Sequence, residues 1–130
     1  MNTLEQVSVK TKGYQIVNIT ENIQELIHLN RFEKGLVNLS ILHTSASLTI
    51  QENASEYVLS DIKTFFSGLA PESSNYLHNL EGSDDMPAHL KTLITNTNVT
   101  ISVASSKLLL GGSGKEYTYV NGASMAKLDR

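Results

Sequence analysis

Apolar and polar positions recur along this chain with two different periods. A period of two residues predicts strands over residues 4–11, 14–18, 36–43, 44–51, 99–103, 107–110 and 116–120. A period near 3.6 residues predicts one helix that begins at Thr20 and ends near Gly35. A second helix is expected after Asn53, which with Glu56 resembles a capping box, and Gly68 marks its end. A short third helix is expected over 87–93, because Pro87 suits a first helical turn.

The predicted strands and helices do not alternate regularly. A doubly wound parallel sheet requires such alternation, so the order predicts an α+β protein whose sheet is mainly antiparallel. The 130 residues show neither an internal repeat nor a linker, and we expect a single domain over 1–130.

Composition narrows the classes of function. The chain has no cysteine, which excludes disulfides, thiolate metal sites and a cysteine nucleophile. A net charge of −3, with lysines and arginines scattered singly, argues against a nucleic-acid partner. No apolar stretch approaches the ~20 residues of a membrane span, and residues 1–20 do not resemble a signal peptide. We therefore expect a cytoplasmic protein with neither nucleic-acid nor membrane partners.

Residues 76–89 concentrate the ionisable side chains of the sequence. This segment holds two imidazoles, His78 and His89, and three carboxylates, including Asp84 and Asp85. Histidine exchanges protons near neutral pH and is the commonest metal ligand. The segment is thus a proton-transfer site, a metal site or a polar loop in which the two aspartates only cap a helix. The spacing matches no zincin or zinc finger.

Two further candidates lie outside that segment. His43 stands at the end of a strand whose inward residues are apolar, where it belongs either to a site or to the edge of the core. The neighbouring hydroxyls of Thr44 and Ser45 suggest a serine hydrolase, but the Gly-x-Ser-x-Gly motif of many such enzymes is not present. They better fit strand residues or donors to an anion. Asp61 falls beside the apolar stripe of its helix, where a solvated carboxylate is the simpler interpretation.

These blocks together resemble the YjbQ-like family, whose members are often labelled secondary thiamine-phosphate synthases. The resemblance rests on His43-Thr-Ser-Ala-Ser-Leu-Thr-Ile50 with Glu52-Asn53, on Asp61 and His78, and on Glu81-Gly-Ser-Asp-Asp-Met-Pro-Ala-His89. It is specific over about residues 35–103, where the order and spacing of several separate blocks agree.

The resemblance implies an antiparallel β-sheet sandwich with two or three short helices, assembled as a homotrimer with its site near subunit boundaries. It implies a divalent metal, Zn²⁺ or Mg²⁺, held by His43, His78 and His89. The catalytic candidates it carries over are His43, Asp61, His78, Asp84, Asp85 and His89. The candidates it carries over for a small phosphorylated ligand, or for phosphate or sulfate, are Thr44, Ser45, Glu52 and Asn53.

The activity attached to the family joins a pyrimidine diphosphate to a thiazole phosphate and releases pyrophosphate. After residue 110 this sequence departs from the family pattern, because Gly111-Gly-Ser-Gly114 and a short tail replace a Trp, a Gln, a Glu and an Arg. We therefore expect a thiamine-phosphate-synthase-like transferase that uses a His/Asp site. The alternative is a non-catalytic, trimeric metal- or anion-binding protein of the same fold, or a scaffold whose assembly is its function.

Overall fold

The computed structural model describes residues 3–11, 15–52, 57–110, 116–122 and 125–129. Within these ranges the helices are α1 (Thr20–Leu29), α2 (Tyr57–Leu69) and α3 (Asp85–Leu93). The strands are β1 (Gln6–Lys10), β2 (Gln15–Asn18), β3 (Gly35–Ile41), β4 (Ala46–Glu52), β5 (Asn98–Ala104), β6 (Lys107–Leu108), β7 (Glu116–Gly122) and β8 (Met125–Asp129).

The strands form two antiparallel sheets. A five-stranded sheet has the order β1-β8-β3-β5-β6, and a three-stranded sheet has the order β2-β7-β4. Each pairing between neighbouring strands in these sheets is antiparallel, which confirms the expected α+β class. None of the helices in the described ranges is long and apolar enough to cross a membrane.

The hydrophobic core contains side chains from both sheets and from α1. Its buried members are Val9, Ile19, Ile23, Ile27, Val37, Leu39, Ile41, Ala46, Leu48, Ile101 and Val103. Full burial of a side chain of this size contributes roughly 1.5–3 kcal/mol. Because β3 and β4 both contribute to this core, it anchors the two ends of the connection over residues 42–45, which leads to the candidate site.

Helix α1 is shorter than its apolar pattern predicts. The sequence predicts an end near Gly35, but the helix ends at Leu29, because the backbone N–H groups of Arg31 and Phe32 bond to the carbonyl oxygens of His28 and Ile27 instead of following the helical pattern. Both the backbone N–H and the side-chain amide of Asn30 donate to the carbonyl oxygen of Leu26, at 3.0 and 2.8 Å. Arg31 then takes a positive φ of 50°, and a right-handed helix cannot continue through a residue in that conformation.

The start of α1 also differs from the expected cap. Thr20 is the first helical residue, and the residue before it makes no side-chain capping bond. The side chain of Asn18 instead accepts a hydrogen bond from the backbone N–H of Thr20 at 3.0 Å. The capping oxygen therefore comes from two residues upstream of the position that the sequence indicates.

The chain end forms a strand where the sequence predicts only a short tail. Strand β8 pairs with β1 through five residue pairs and with β3 through two, Ser40 with Asp129 and Ile41 with Leu128. It thus lies inside the larger sheet. Residues 111–114 and Asn53, on which two of the expectations rest, lie outside the described residues.

Candidate functional site

Helix α3 places two of the predicted site residues on one face. It begins at Asp85, and His89 follows four residues later, so their side chains point to the same side one turn apart. Asp84 is the residue before the helix and makes no side-chain capping bond. The carboxylate of Asp85 reaches two imidazole rings instead. Asp85 is therefore more than a helix cap, whereas Asp84 occupies the N-cap position without a side-chain capping bond.

Asp85 joins the two histidines of the polar segment. Its Oδ2 atom lies 2.7 Å from Nε2 of His78 and 3.1 Å from Nε2 of His89. The two rings are 5.5 Å apart between centroids and inclined at 67°. One ligand atom from each of the three side chains lies within 4.8 Å of the others, an arrangement that could hold a metal ion. The carboxylate is only 15% exposed, whereas His78 is 46% exposed and accessible to a ligand.

The connection between β3 and β4 orients the ring of His89. Nδ1 of His89 lies 2.8 Å from the carbonyl oxygen of Thr44. A carbonyl oxygen can only accept a hydrogen bond, so Nδ1 carries the hydrogen and donates it. The neutral ring therefore presents an unshared electron pair on Nε2, the atom that faces Asp85.

In this tautomer the contact between His89 and Asp85 lacks a hydrogen that either atom could donate. A nitrogen lone pair and a carboxylate oxygen are both acceptors, and at 3.1 Å they repel each other unless a positive centre lies between them. A proton satisfies this requirement if His89 is an imidazolium ion. A divalent cation satisfies it with His89 neutral, and a backbone carbonyl on the other ring nitrogen is the usual support of a metal-bound histidine.

His43 occupies a different environment. Its Nδ1 accepts a hydrogen bond from the backbone N–H of Ser45 at 3.2 Å and lies 2.8 Å from Ser45 Oγ. Within the described residues, the group with metal-ligand spacing consists of His78, Asp85 and His89, and His43 is not a member. The structure thus brings together two of the three imidazoles that the sequence grouped, and a carboxylate replaces the third.

The remaining candidates lie apart from this group or carry no side-chain description. Asp61 lines an apolar cavity of about 380 Å³ with Phe65 and Phe66 rather than the histidine group. Glu52 is the last residue of β4, and Asn53 lies outside the described residues. Ser45 is buried, so its hydroxyl is turned to His43 and not presented to a ligand.

A small polar cavity adjoins the histidine group. It measures about 300 Å³, and His78 belongs to both the group and the cavity wall. Among its other lining residues are Glu72, Asn75, Asn79 and Met86. A ligand in this cavity would therefore touch His78 on one side and mostly neutral groups, two of them amides, on the others.

The residue types alone do not predict two features of this region. The backbone carbonyl of Thr44 holds His89, whereas the sequence indicates only the hydroxyl of that residue. Lys91 is only 5% exposed. Burial lowers its pKa below the ordinary value, while Glu72 and Asp84 act in the opposite direction.

Comparison with known proteins shows which chains this one resembles. The family described as "UPF0047 protein YjbQ-like" matches residues 5–118. A UPF0047 protein of Synechocystis is 40% identical over 108 residues, which cover 82% of this chain and 74% of the relative. The YjbQ protein of Escherichia coli O157:H7 is 36% identical over 105 residues, which cover 81% and 75%. The family match includes residues 111–114, so it does not support the expectation that the chain departs from the family pattern there.

Solved structures agree with the fold. A conserved hypothetical protein of Thermus thermophilus superimposes with a TM-score of 0.82 at 27% identity, covering 97% of this chain and 98% of that one. An uncharacterized YjbQ/UPF0047 protein of Clostridium acetobutylicum gives 0.81 at 26% identity, covering 95% of both chains. The chain therefore belongs to the UPF0047 protein YjbQ-like family.

Proposed function

We propose that this protein is a metal-dependent enzyme whose cation is held by His78, Asp85 and His89. The observation that carries the proposal is the fixed tautomer of His89, whose Nε2 lone pair faces the carboxylate oxygen of Asp85 at 3.1 Å. Without a cation, both contacts require a hydrogen on each Nε2 atom, so that His89 must be an imidazolium ion. A cation accounts for both contacts with the two rings neutral, because it accepts electron pairs from all three atoms at once.

The chemistry of the three side chains and two of the distances between them are close to what such an ion requires. A tetrahedral ion with bonds of about 2.0–2.1 Å has ligand atoms roughly 3.3 Å apart. The distances from Asp85 Oδ2 to the two Nε2 atoms, 2.7 and 3.1 Å, are shorter than this by a few tenths of an ångström. Two imidazoles with one carboxylate favour Zn²⁺ over Mg²⁺, which prefers oxygen ligands. Three protein ligands also leave a position for water or substrate, as in catalytic zinc sites.

The reaction class that we propose is transfer to or from a small phosphorylated heterocycle. The specific candidate is the joining of a pyrimidine diphosphate to a thiazole phosphate with release of pyrophosphate. A divalent cation at this site would supply Lewis-acid stabilisation of the diphosphate oxygens. The chain itself contributes Thr44, which fixes the ring of His89, and the cavity beside His78, which is the place for an uncharged part of the substrate.

We further propose that the site is completed in a homotrimer. Leu42, Leu77 and Leu80 lie next to or near site residues in sequence, and their side chains are at least 75% exposed. A contiguous exposed apolar surface is typical of a face that a partner covers, and we propose that these leucines contribute to such a face. Sedimentation equilibrium tests this point: we expect three chains per particle, and a monomer at micromolar concentration would contradict it.

The proposed function is tested by zinc titration together with an assay of pyrophosphate release. We expect one zinc ion per chain in the wild-type protein and in His28→Gln, a matched control whose ring lies on α1 against Gln24. His89→Ala is expected to lose both zinc and turnover. Absence of stoichiometric zinc binding in the wild-type protein would refute the metal centre. Zinc binding without turnover would instead favour the non-catalytic metal-binding protein.

A further inference from the structure

We propose that His43 donates an N–H group to an anionic oxygen of the ligand, and that Ser45 holds it in this form. This inference rests on the proposed function, because it assigns the contact that recognises the phosphoryl or similar oxyanion at the same site. It also removes His43 from the set of metal ligands in which the sequence placed it.

The tautomer of His43 follows from the hydrogen bonds of its Nδ1 atom. The backbone N–H of Ser45 lies 3.2 Å from Nδ1 with the hydrogen directed at it, and a backbone N–H can only donate. Nδ1 therefore accepts, and the hydrogen of the neutral ring is on Nε2. The hydroxyl of Ser45, buried and 2.8 Å from the same nitrogen, donates to Nδ1 as well. Two donors from one residue thus select one tautomer.

His43 and His89 are consequently opposite in chemistry. The ring of His89 donates from Nδ1 to a carbonyl oxygen and offers an electron pair on Nε2, as a metal ligand must. The ring of His43 accepts at Nδ1 and offers a hydrogen on Nε2. Its Nδ1 electron pair is already used, and its Nε2 could bind a metal only after losing that hydrogen. In this tautomer His43 is suited to bind an oxygen acceptor, and it lies outside the three-residue group that has metal-ligand spacing.

The position of His43 joins this donor to the proposed metal site. The carbonyl of Thr44, the next residue, is the one that orients His89, so residues 43–45 set the tautomers of both rings. His43 and Thr44 are exposed, so the ring and the adjacent hydroxyl are accessible. A cation held at His89 would attract an oxyanion, and the Nε2–H of His43 would supply a donor from the neighbouring segment. Ser45 acts through His43 and is a positioning residue.

The experiment combines nitrogen NMR with binding of inorganic phosphate. Long-range ¹H–¹⁵N spectra of metal-free protein, recorded where the rings are neutral, report which nitrogen of each histidine carries the hydrogen. We expect hydrogen on Nε2 in His43 and on Nδ1 in His89. Hydrogen on Nδ1 of His43 would overturn the inference even if the metal centre is correct.

Phosphate is then titrated into metal-free and zinc-loaded protein. A hydrogen bond to a charged group is worth about 1.5–3 kcal/mol, so His43→Ala should raise the phosphate Kd roughly ten- to hundredfold. His43→Gln keeps an N–H donor at a similar reach and should restore much of the affinity. Ser45→Ala should weaken binding about two- to tenfold, because one of the two bonds that fix the ring is lost.

The outcomes separate this inference from the proposed function. Zinc stoichiometry should stay unchanged in His43→Ala, and its loss there would return His43 to the ligand set and overturn the inference alone. Zinc binding by neither the wild-type protein nor the variants would refute the metal centre, while the NMR tautomers would still test His43. Equal phosphate affinity of the wild-type protein and His43→Ala, or no phosphate binding at all, would contradict the donor role.

Discussion

Replacement of Asp85 by asparagine distinguishes two roles for this residue: a metal ligand, or a carboxylate that only pairs with two charged rings. The substitution keeps the shape of the side chain and removes its charge. Oδ2 of Asp85 is the atom shared by His78 and His89, at 2.7 and 3.1 Å, so this one change alters both contacts. An amide nitrogen at that position can donate to the Nε2 lone pair of His89, which the carboxylate cannot do.

The structure predicts effects of different size on metal affinity and on stability. Structural zinc sites with four ligands bind with about 10–16 kcal/mol, roughly 2.5–4 kcal/mol per ligand, so we expect Asp85→Asn to weaken zinc affinity about 10²–10³-fold. In the metal-free protein the amide replaces one hydrogen-bonding contact by another. The free energy of unfolding should therefore change by less than about 1 kcal/mol.

The assay is zinc titration against a competing chelator, with urea unfolding of the metal-free protein at the same pH. Asp84→Asn is the matched control, because Asp84 is the neighbouring carboxylate and does not belong to the three-residue group. Equal zinc affinity of the two variants would refute the assignment of Asp85 as a ligand. A loss of more than about 2 kcal/mol in unfolding free energy, with zinc affinity unaffected, would identify Asp85 as a structural partner of two imidazolium rings.

Three further predictions concern the fold. Leu48→Ala, in a fully buried position of β4, should lower the free energy of unfolding by about 2–5 kcal/mol in urea, whereas exposed Leu29→Ala should have little effect. Similar losses in the two variants would contradict the assigned core. Gly35→Ala should destabilise the protein by roughly 1–3 kcal/mol, because the φ of Gly35 is +150° and a Cβ atom there would lie 2.6 Å from the ring of Phe32. An unchanged midpoint of urea unfolding would refute this prediction. Burial lowers the pKa of Lys91, so the unfolded chain binds more protons and stability should rise with pH between that lowered pKa and the unfolded value of about 10.4. Lys91→Met should therefore show a smaller rise as the pH approaches about 10.4 from below, and equal slopes would contradict the shift.

The strands that the sequence predicts best are those buried on one face. Val37, Leu39 and Ile41 alternate with polar residues, and so do Ile101 and Val103 on the partner strand. Burial of these positions fixes both the strand and its register, because a shift by one residue would turn them to solvent. Strand β8 carries a weaker pattern, and its place between β1 and β3 comes from partners distant in sequence.

The candidate site was predictable to the extent that it depends on local spacing. Asp85 and His89 are four residues apart on a helix that Pro87 helps to start, and this spacing alone brings them together. The separation of His43 from them depends on where one backbone N–H and one backbone carbonyl point. Residue types do not encode those directions, because they follow from the path of residues 43–45 between two strands of different sheets.

The most direct test of the metal centre is anomalous diffraction at the zinc edge from crystals equilibrated with Zn²⁺. We predict one strong peak about 2.0–2.2 Å from Nε2 of His78, Nε2 of His89 and Oδ2 of Asp85, with His43 outside the coordination sphere. A map without a peak at these three atoms, or with the ion bound at His43 instead, would contradict this prediction.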